Sequence, residues 1–257
     1  MESRQQAPCA VVFDLFDTLV DLPMDRLPRV EIAGRSVPST AGALHEALAA
    51  RLPVPFESFS AALREIDRDW RETAAAEGRE LPTVERFTRL LERFALRDAD
   101  LAERLTRIHM GLIAGVARTP AHHADVLDRL RRGVRVGLCS NFSHSPTALA
   151  ILDDARLRER LDAVAISHDV GLRKPRREIF EAVLGALGAA PEQSVHVGDS
   201  LDADVAGAAA LGMRTVWVTR CVPDPDAALT RHGGPQPDWI VRDLAEIPAI
   251  IENLLEV

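Results

Sequence analysis

The 257-residue chain carries a net charge of −8 and draws 47% of its residues from apolar types. That is ample for one large domain, or a domain with a subdomain, around a packed core. The acidic balance argues against a nucleic-acid surface or an anionic membrane as main partner, and no run approaches the roughly 20 apolar residues of a membrane span.

The first ten residues, "MESRQQAPCA", lack the basic region and apolar core of a signal peptide. Cys9, Cys139 and Cys221 are odd in number and far apart, which suits idle thiols in a reducing cytoplasm rather than a disulfide framework. A cytoplasmic monomer or homodimer acting on a small molecule is the expectation. Thirty of the 31 basic residues are arginine, and the single lysine is Lys174. A compact ammonium and a broad planar guanidinium are not interchangeable, so a site that needs the former would explain the exception.

In chain order, residues 1–8 read as a loose tail and "CAVVFDLF" as a strand covered on both faces. Residues 21–40, with Pro23, Pro28 and Pro38, read as irregular. From Ala41 to about Val116 the apolar spacing becomes helical, giving a block of four or so helices with no strand among them. Trp70 and Phe87 have core spacing there. Arg64, Arg68, Arg71, Arg86, Arg89 and Arg93 fall beside acids such as Glu65, Asp67 and Glu92, the pattern of a solvated face. His122 and His123 follow Pro120 as a surface loop. Strands are then predicted at 134–140, 163–169, 194–200, "RTVWVT" and "DWIV", alternating with helices, and 222–237 reads as a long surface loop. Alternation of this kind predicts an α/β, Rossmann-like, doubly wound parallel sheet. The sheet domain is expected over 1–20 and 118–257, with 21–117 inserted after the first strand as a helical lid. In open parallel sheets ligands bind beyond the carboxyl ends of the strands, where the insertion leaves.

Those strand ends carry the chemistry: Asp14, Asp17 and Thr18 after the first, Ser140 and Asn141 after the next, Lys174 past the third, and Asp199, Ser200, Asp202 and Asp204 after the fourth. Taken singly, Thr18, Ser200 or Asp202 is an ordinary helix cap. Four strand ends doing this together gather acids, a hydroxyl and a cation in one space. Crowded carboxylates need a cation, and Mg²⁺ suits Asp14 with Asp199. Such a site would attract a phosphate, with Ser140, backbone N–H groups near Asn141 and Lys174 as donors.

"VFDLFDTLV", "LCSNF", "GLRKPRREIF" and "HVGDSLDADVAGAAALGM" resemble the four ordered motifs of the haloacid dehalogenase (HAD) superfamily, and the inserted helices resemble the cap of its subfamily I. The resemblance spans nearly the whole chain and implies a Mg²⁺-dependent hydrolase, a phosphatase above all, working through an aspartyl-phosphate. It implies Asp14 as nucleophile, Ser140 holding the transferred group and Lys174 steadying the nucleophile, matches Thr18 to the first-motif threonine, and counts Thr18 and Asn141 among the catalytic residues. It also implies Asp14, the carbonyl of Phe16, Asp199 and Asp204 around the metal. Phe16 departs from the pattern, because phosphatases of this kind carry there a second Asp that protonates the leaving oxygen. Asp17 lies one residue on and faces the other way on an extended strand, which suits a loop contact. Two alternatives stay open. A halide-displacing hydrolase shares the aromatic residue but not "GDSLDAD", and an impaired ligand-binding member would tolerate Phe16. Phosphonate cleavage needs a cap lysine, which this chain lacks.

Overall fold

The computed structural model describes residues 9–32, 34–74 and 76–256; the tail expected over 1–8 lies outside the described residues. The first strand, β1 (Ala10–Phe13), is buried along its whole length because both of its faces are covered. Val11 and Phe13 point into one hydrophobic cluster, shared with the helices α5 (His123–Leu130), α6 (Ser145–Asp154) and α11 (Ile247–Leu255). Ala10 and Val12 alternate into the opposite cluster, which α8 (Arg177–Leu187) closes.

Besides β2 (Arg29–Ile32) and β3 (Arg35–Pro38), the remaining strands are β4 (Arg135–Ser140), β5 (Ala163–Ile166), β6 (Ser194–Gly198), β7 (Arg214–Val218) and β8 (Trp239–Val241). They join β1 in a parallel six-stranded sheet of order β5-β4-β1-β6-β7-β8. The chain builds outward from β1 in one direction, then returns to its other side and builds outward again. The crevice beyond the carboxyl ends therefore centres on β1.

Between β1 and β4 lie α1 (Ala41–Ala49), α2 (Phe56–Glu72), α3 (Thr83–Arg93) and α4 (Ala99–Val116). They close on a hydrophobic cluster of their own, with Phe59, Phe87, Leu90 and Leu105 at its centre. On α3 the buried positions Thr83, Phe87, Leu90 and Leu91 repeat every three or four residues, as one helix face must. Its arginines take the other face: Arg89 pairs with Glu85 and Arg93 with Asp69 at 3.2 Å. The two connections to the sheet cross side by side, Asp21 and Arg118 exchanging backbone hydrogen bonds of 2.7 and 2.9 Å.

The structure departs from the sequence reading in four places. Residues 21–40 are not irregular throughout: β2 (Arg29–Ile32) and β3 (Arg35–Pro38) form an antiparallel hairpin, turned by Gly34 at φ +74°. Its prolines stand at the margins, where no ladder bond is lost. The predicted strand 163–169 stops at Ile166, and Ser167–Val170 form a helical turn (α7) that ends on left-handed Gly171 at φ +80°. The expected loop 222–237 contains α10 (Pro225–Arg231), opened by Asp224, whose side chain accepts from the Ala227 N–H at 3.0 Å; Asp-Pro is a helix start as much as a turn. Finally, His123 is not on the surface. It is fully buried, its Nδ1 bonded to the Leu19 carbonyl at 2.8 Å, while the exposed His122 bonds Asp243 at 2.6 Å.

Candidate active site

Strand register alone brings the strand ends level. Phe13 lies opposite Leu138 on β4 and Val197 on β6. The next residue, Asp14, extends the ladder by donating its N–H to the Val197 carbonyl at 2.9 Å. One step further on, the neighbouring strands offer Ser140 and Asp199. After Asp14 the chain turns sharply, Val20 donating to the Leu15 carbonyl at 2.8 Å and Asp17 to the Val20 carbonyl at 2.7 Å. The turn forces Asp17 to φ +56°, a region costly for most residues but tolerated by Asp. Its Oδ1 accepts the Leu22 N–H at 3.0 Å, so Asp17 braces the turn, as its side-chain direction implied.

Lys174 reaches this point from the loop after α7. Its Nζ donates to Asp14 Oδ1 at 2.5 Å, to Asp204 Oδ1 at 2.7 Å and to the Cys139 carbonyl at 2.7 Å. All three ammonium protons are used in a space that leaves 2% of the side chain exposed. A guanidinium has neither the size nor the donor directions for that role, which accounts for the chain's one lysine. Asn141 fixes the same residue from behind, accepting from the Lys174 N–H at 2.7 Å and donating to its carbonyl at 3.0 Å. Asn141 is thus a holder of Lys174.

Asp204 enters from the wide helical turn Leu201–Val205 that precedes α9 (Ala206–Ala209). Its Oδ1 also meets His196 Nε2 at 2.8 Å and its Oδ2 accepts the Ser200 N–H at 3.0 Å. Gly198 permits this approach, since a Cβ there would lie 2.2 Å from the Asp204 carboxyl carbon. Asp14, Asp199 and Asp204 bring ligand oxygens within 4.8 Å of one another. The hydroxyls of Ser140 and Thr18 are buried with no hydrogen-bond partner among the described residues. Asp202, by contrast, turns away to His232 at 3.1 Å.

Phe16 packs against Phe142, the rings 4.8 Å apart and tilted by 57°. Phe142, His196 and Trp217, whose Nε1 holds the Asp199 carbonyl at 2.7 Å, were not anticipated from sequence. His196 had a signal: a polar residue in the middle of the apolar strand "SVHVG".

Charge is out of balance here. Burial would lower Lys174, but the carboxylates of Asp14 and Asp204 outweigh it and hold the ammonium charged well above its usual range. Burial would raise Asp204, but Lys174 and His196 outweigh it and keep Asp204 ionised well below the usual range. Burial pushes Asp14 up to about 6, against the pull of Lys174. Burial and the carboxylates of Asp14, Asp204 and Asp17 push Asp199 up to about 8. Three acids facing one ammonium leave room for a hard cation, and the donor set is all oxygen.

A pH dependence follows. Asp14 and Asp199 keep protons in the folded chain that the unfolded chain releases near pH 3.8. Without metal, their contribution to stability is present at about pH 4 and lost as pH rises towards about 8. A divalent cation needs these carboxylates deprotonated, so its stabilising effect grows over the same range. In thermal melts with chelator, Asp199→Asn should flatten the loss of Tm between pH 5 and pH 8. Mg²⁺ should raise the wild-type Tm more at pH 8 than at pH 5. A Tm indifferent to Mg²⁺ at pH 8 would count against the acid cluster as a cation site.

Comparisons with known proteins identify the family. A family model described as haloacid dehalogenase-like hydrolase matches residues 10–212. A ribulose-1,5-bisphosphate 5-phosphatase from Halopiger xanaduensis is 32% identical over 222 residues, covering 80% of this chain and 83% of that protein. A phosphoserine phosphatase from Thermus thermophilus is 35% identical over 130 residues, but the match takes in only half of this chain and 49% of that protein. Among solved structures, a 2-haloacid dehalogenase from Pseudomonas syringae superposes with a TM-score of 0.69 at 24% identity, covering 96% of this chain and 99% of that one. That last likeness concerns the fold. Together with the strand-end residues and their order, the match over residues 10–212 places this chain in the haloacid dehalogenase-like hydrolase family.

Proposed function

We propose that this chain is a Mg²⁺-dependent phosphatase acting on a small phosphorylated compound, with the helices of residues 21–117 as a cap over the site. The observation that carries the reading is Lys174, buried and charged between Asp14 and Asp204 beside the further acid Asp199. The phosphatase names of its relatives support it.

In this reading an Asp14 oxygen attacks phosphorus as the bond to the leaving oxygen breaks, giving an aspartyl-phosphate. Water then attacks that phosphorus, releasing inorganic phosphate and restoring the carboxylate. Lys174 stays on Asp14 throughout and neutralises charge on the transferred group. The free hydroxyls of Ser140 and Thr18 donate to its oxygens. Asp14, Asp199 and Asp204, with the Phe16 carbonyl, would hold the Mg²⁺, which when bound would neutralise charge on the phosphate. No side chain at position 16 protonates the leaving oxygen, so the substrates served best are those with leaving groups of low pKa, such as aryl or acyl phosphates.

The test is release of phosphate from p-nitrophenyl phosphate by the purified chain. Turnover should require Mg²⁺, vanish with chelator and vanish in Asp14→Asn. Halide release from 2-chloropropionate that persists in chelator would replace this reading with the carbon–halogen one.

A further inference from the structure

Away from the crossing, where Asp21 pairs with Arg118 and Arg220, polar contacts of the helical block with the sheet domain gather on the loops after Ser140 and before Lys174. Between α2 and α3 the chain runs beside the loop leading to Lys174 like a short antiparallel strand. Glu80 N–H donates to the Gly171 carbonyl at 2.9 Å, and Arg173 N–H to the Gly78 carbonyl at 2.8 Å. Thr83 N–H donates to the Ser143 carbonyl at 3.0 Å.

One buried carboxylate ties these contacts together. The Glu80 side chain is 2% exposed, and it accepts hydrogen bonds from the Arg173 guanidinium and from the Ser167 hydroxyl. Ser167 in turn accepts the Phe142 N–H at 2.8 Å. Ser167 follows β5, Phe142 follows Ser140 and Asn141, and Arg173 precedes Lys174. A single acid from the inserted block thus holds the β5–α8 connection at two points, Ser167 and Arg173, and through Ser167 the loop after β4. Asn141 closes the circle through its two bonds to the Lys174 backbone. Trp70 of α2 completes the junction, lying 5.2 Å from the Arg173 guanidinium.

We propose that Glu80 is the positioning residue through which the inserted helices set Lys174, so that seating the block over the crevice and assembling the catalytic loops are one event. With the block seated, Arg173 and Ser167 are satisfied and the Lys174 loop has one conformation. With the block swung away, Glu80 leaves for water, Arg173 loses its ion pair and Ser167 its acceptor. Charge-assisted bonds shielded from solvent are the kind that fix loop geometry. Glu80 touches neither Asp14 nor Lys174, so its effect is on their placement. The inference rests on the phosphatase reading for its kinetic arm only.

The test uses the full chain with p-nitrophenyl phosphate and Mg²⁺, together with amide hydrogen exchange. Glu80→Gln keeps the shape and removes the charge. It should lower kcat about tenfold, in the range seen when outer-shell partners are removed, with KM changed less than about threefold. Arg173→Gln should match it, and the double variant should be no slower than the slower single. Amide exchange over 171–175 and at Phe142 should accelerate in Glu80→Gln while the β6 amides stay protected. Single losses that multiply, a kcat within about twofold of wild type, or unchanged exchange over 171–175 would overturn the proposal. If the wild type does not cleave this ester, the functional reading fails, and the exchange comparison alone decides the coupling.

Discussion

Replacing Lys174 with methionine should cut turnover by about 10²–10³-fold, the scale set by removing a donor from a preorganised anion site. It should also destabilise the chain by about 3–5 kcal/mol, because it leaves buried charge without its counter-ion. The methionine stem fills nearly the same space, so the loss is electrostatic. Asp14 and Asp204 would face each other with no ammonium between them, and one of them would have to take up a proton. Both carboxyls then hold protons more strongly in the folded chain, so without metal the variant should lose stability more steeply than the wild type as pH rises from 5 to 8. Lys174→Arg should fare little better. The Cys139 carbonyl, Asp14 and Asp204 all lie within 2.7 Å of one nitrogen, and a planar fork cannot converge on them. Turnover of an aryl phosphate and urea unfolding at pH 5 and pH 8 read both effects. A variant that keeps more than a tenth of wild-type turnover would remove the ammonium from the reaction.

The composition foreshadows that result, since a chain that writes every other cation as arginine points to the exception. Asp14, Ser140 and Asp199 were legible for a related reason. They end apolar runs, and parallel register leaves such residues level with one another at one edge of the sheet. What local pattern could not show was the non-local partners. Glu80 looks like one more surface acid in a helical block, and only the fold seats it between Ser167 and Arg173. His123 next to His122 looks like a polar loop, yet helix placement buries one and exposes the other. The hairpin 29–38 was hidden because its prolines read as breakers although they lie at strand margins. In each case tertiary contact decided what propensity left open.

Phe16→Asp should raise the rate on alkyl phosphates by about 10²-fold, towards the lower end of what a positioned acid contributes. The wild-type chain should show a steep dependence of rate on leaving-group pKa, cleaving p-nitrophenyl phosphate far faster than an alkyl ester. In the variant that dependence should flatten, because protonation of the departing oxygen no longer relies on the leaving group itself. The substitution gives up the tilted ring contact of Phe16 with Phe142, worth about 0.5–1.5 kcal/mol beyond area burial. A gain in rate would therefore come despite a looser wall. Phe16→Leu separates the two effects. It keeps the position apolar, loses the same ring pair and offers no proton, so it should be no faster than wild type on any substrate. If the leucine and aspartate variants gain equally, the ring was obstructing the substrate and the missing proton was never the limit. If the wild type already cleaves alkyl and aryl esters at similar rates, a proton reaches the leaving oxygen by another route, and the nearest carboxylate on the same turn, Asp17, becomes the group to replace.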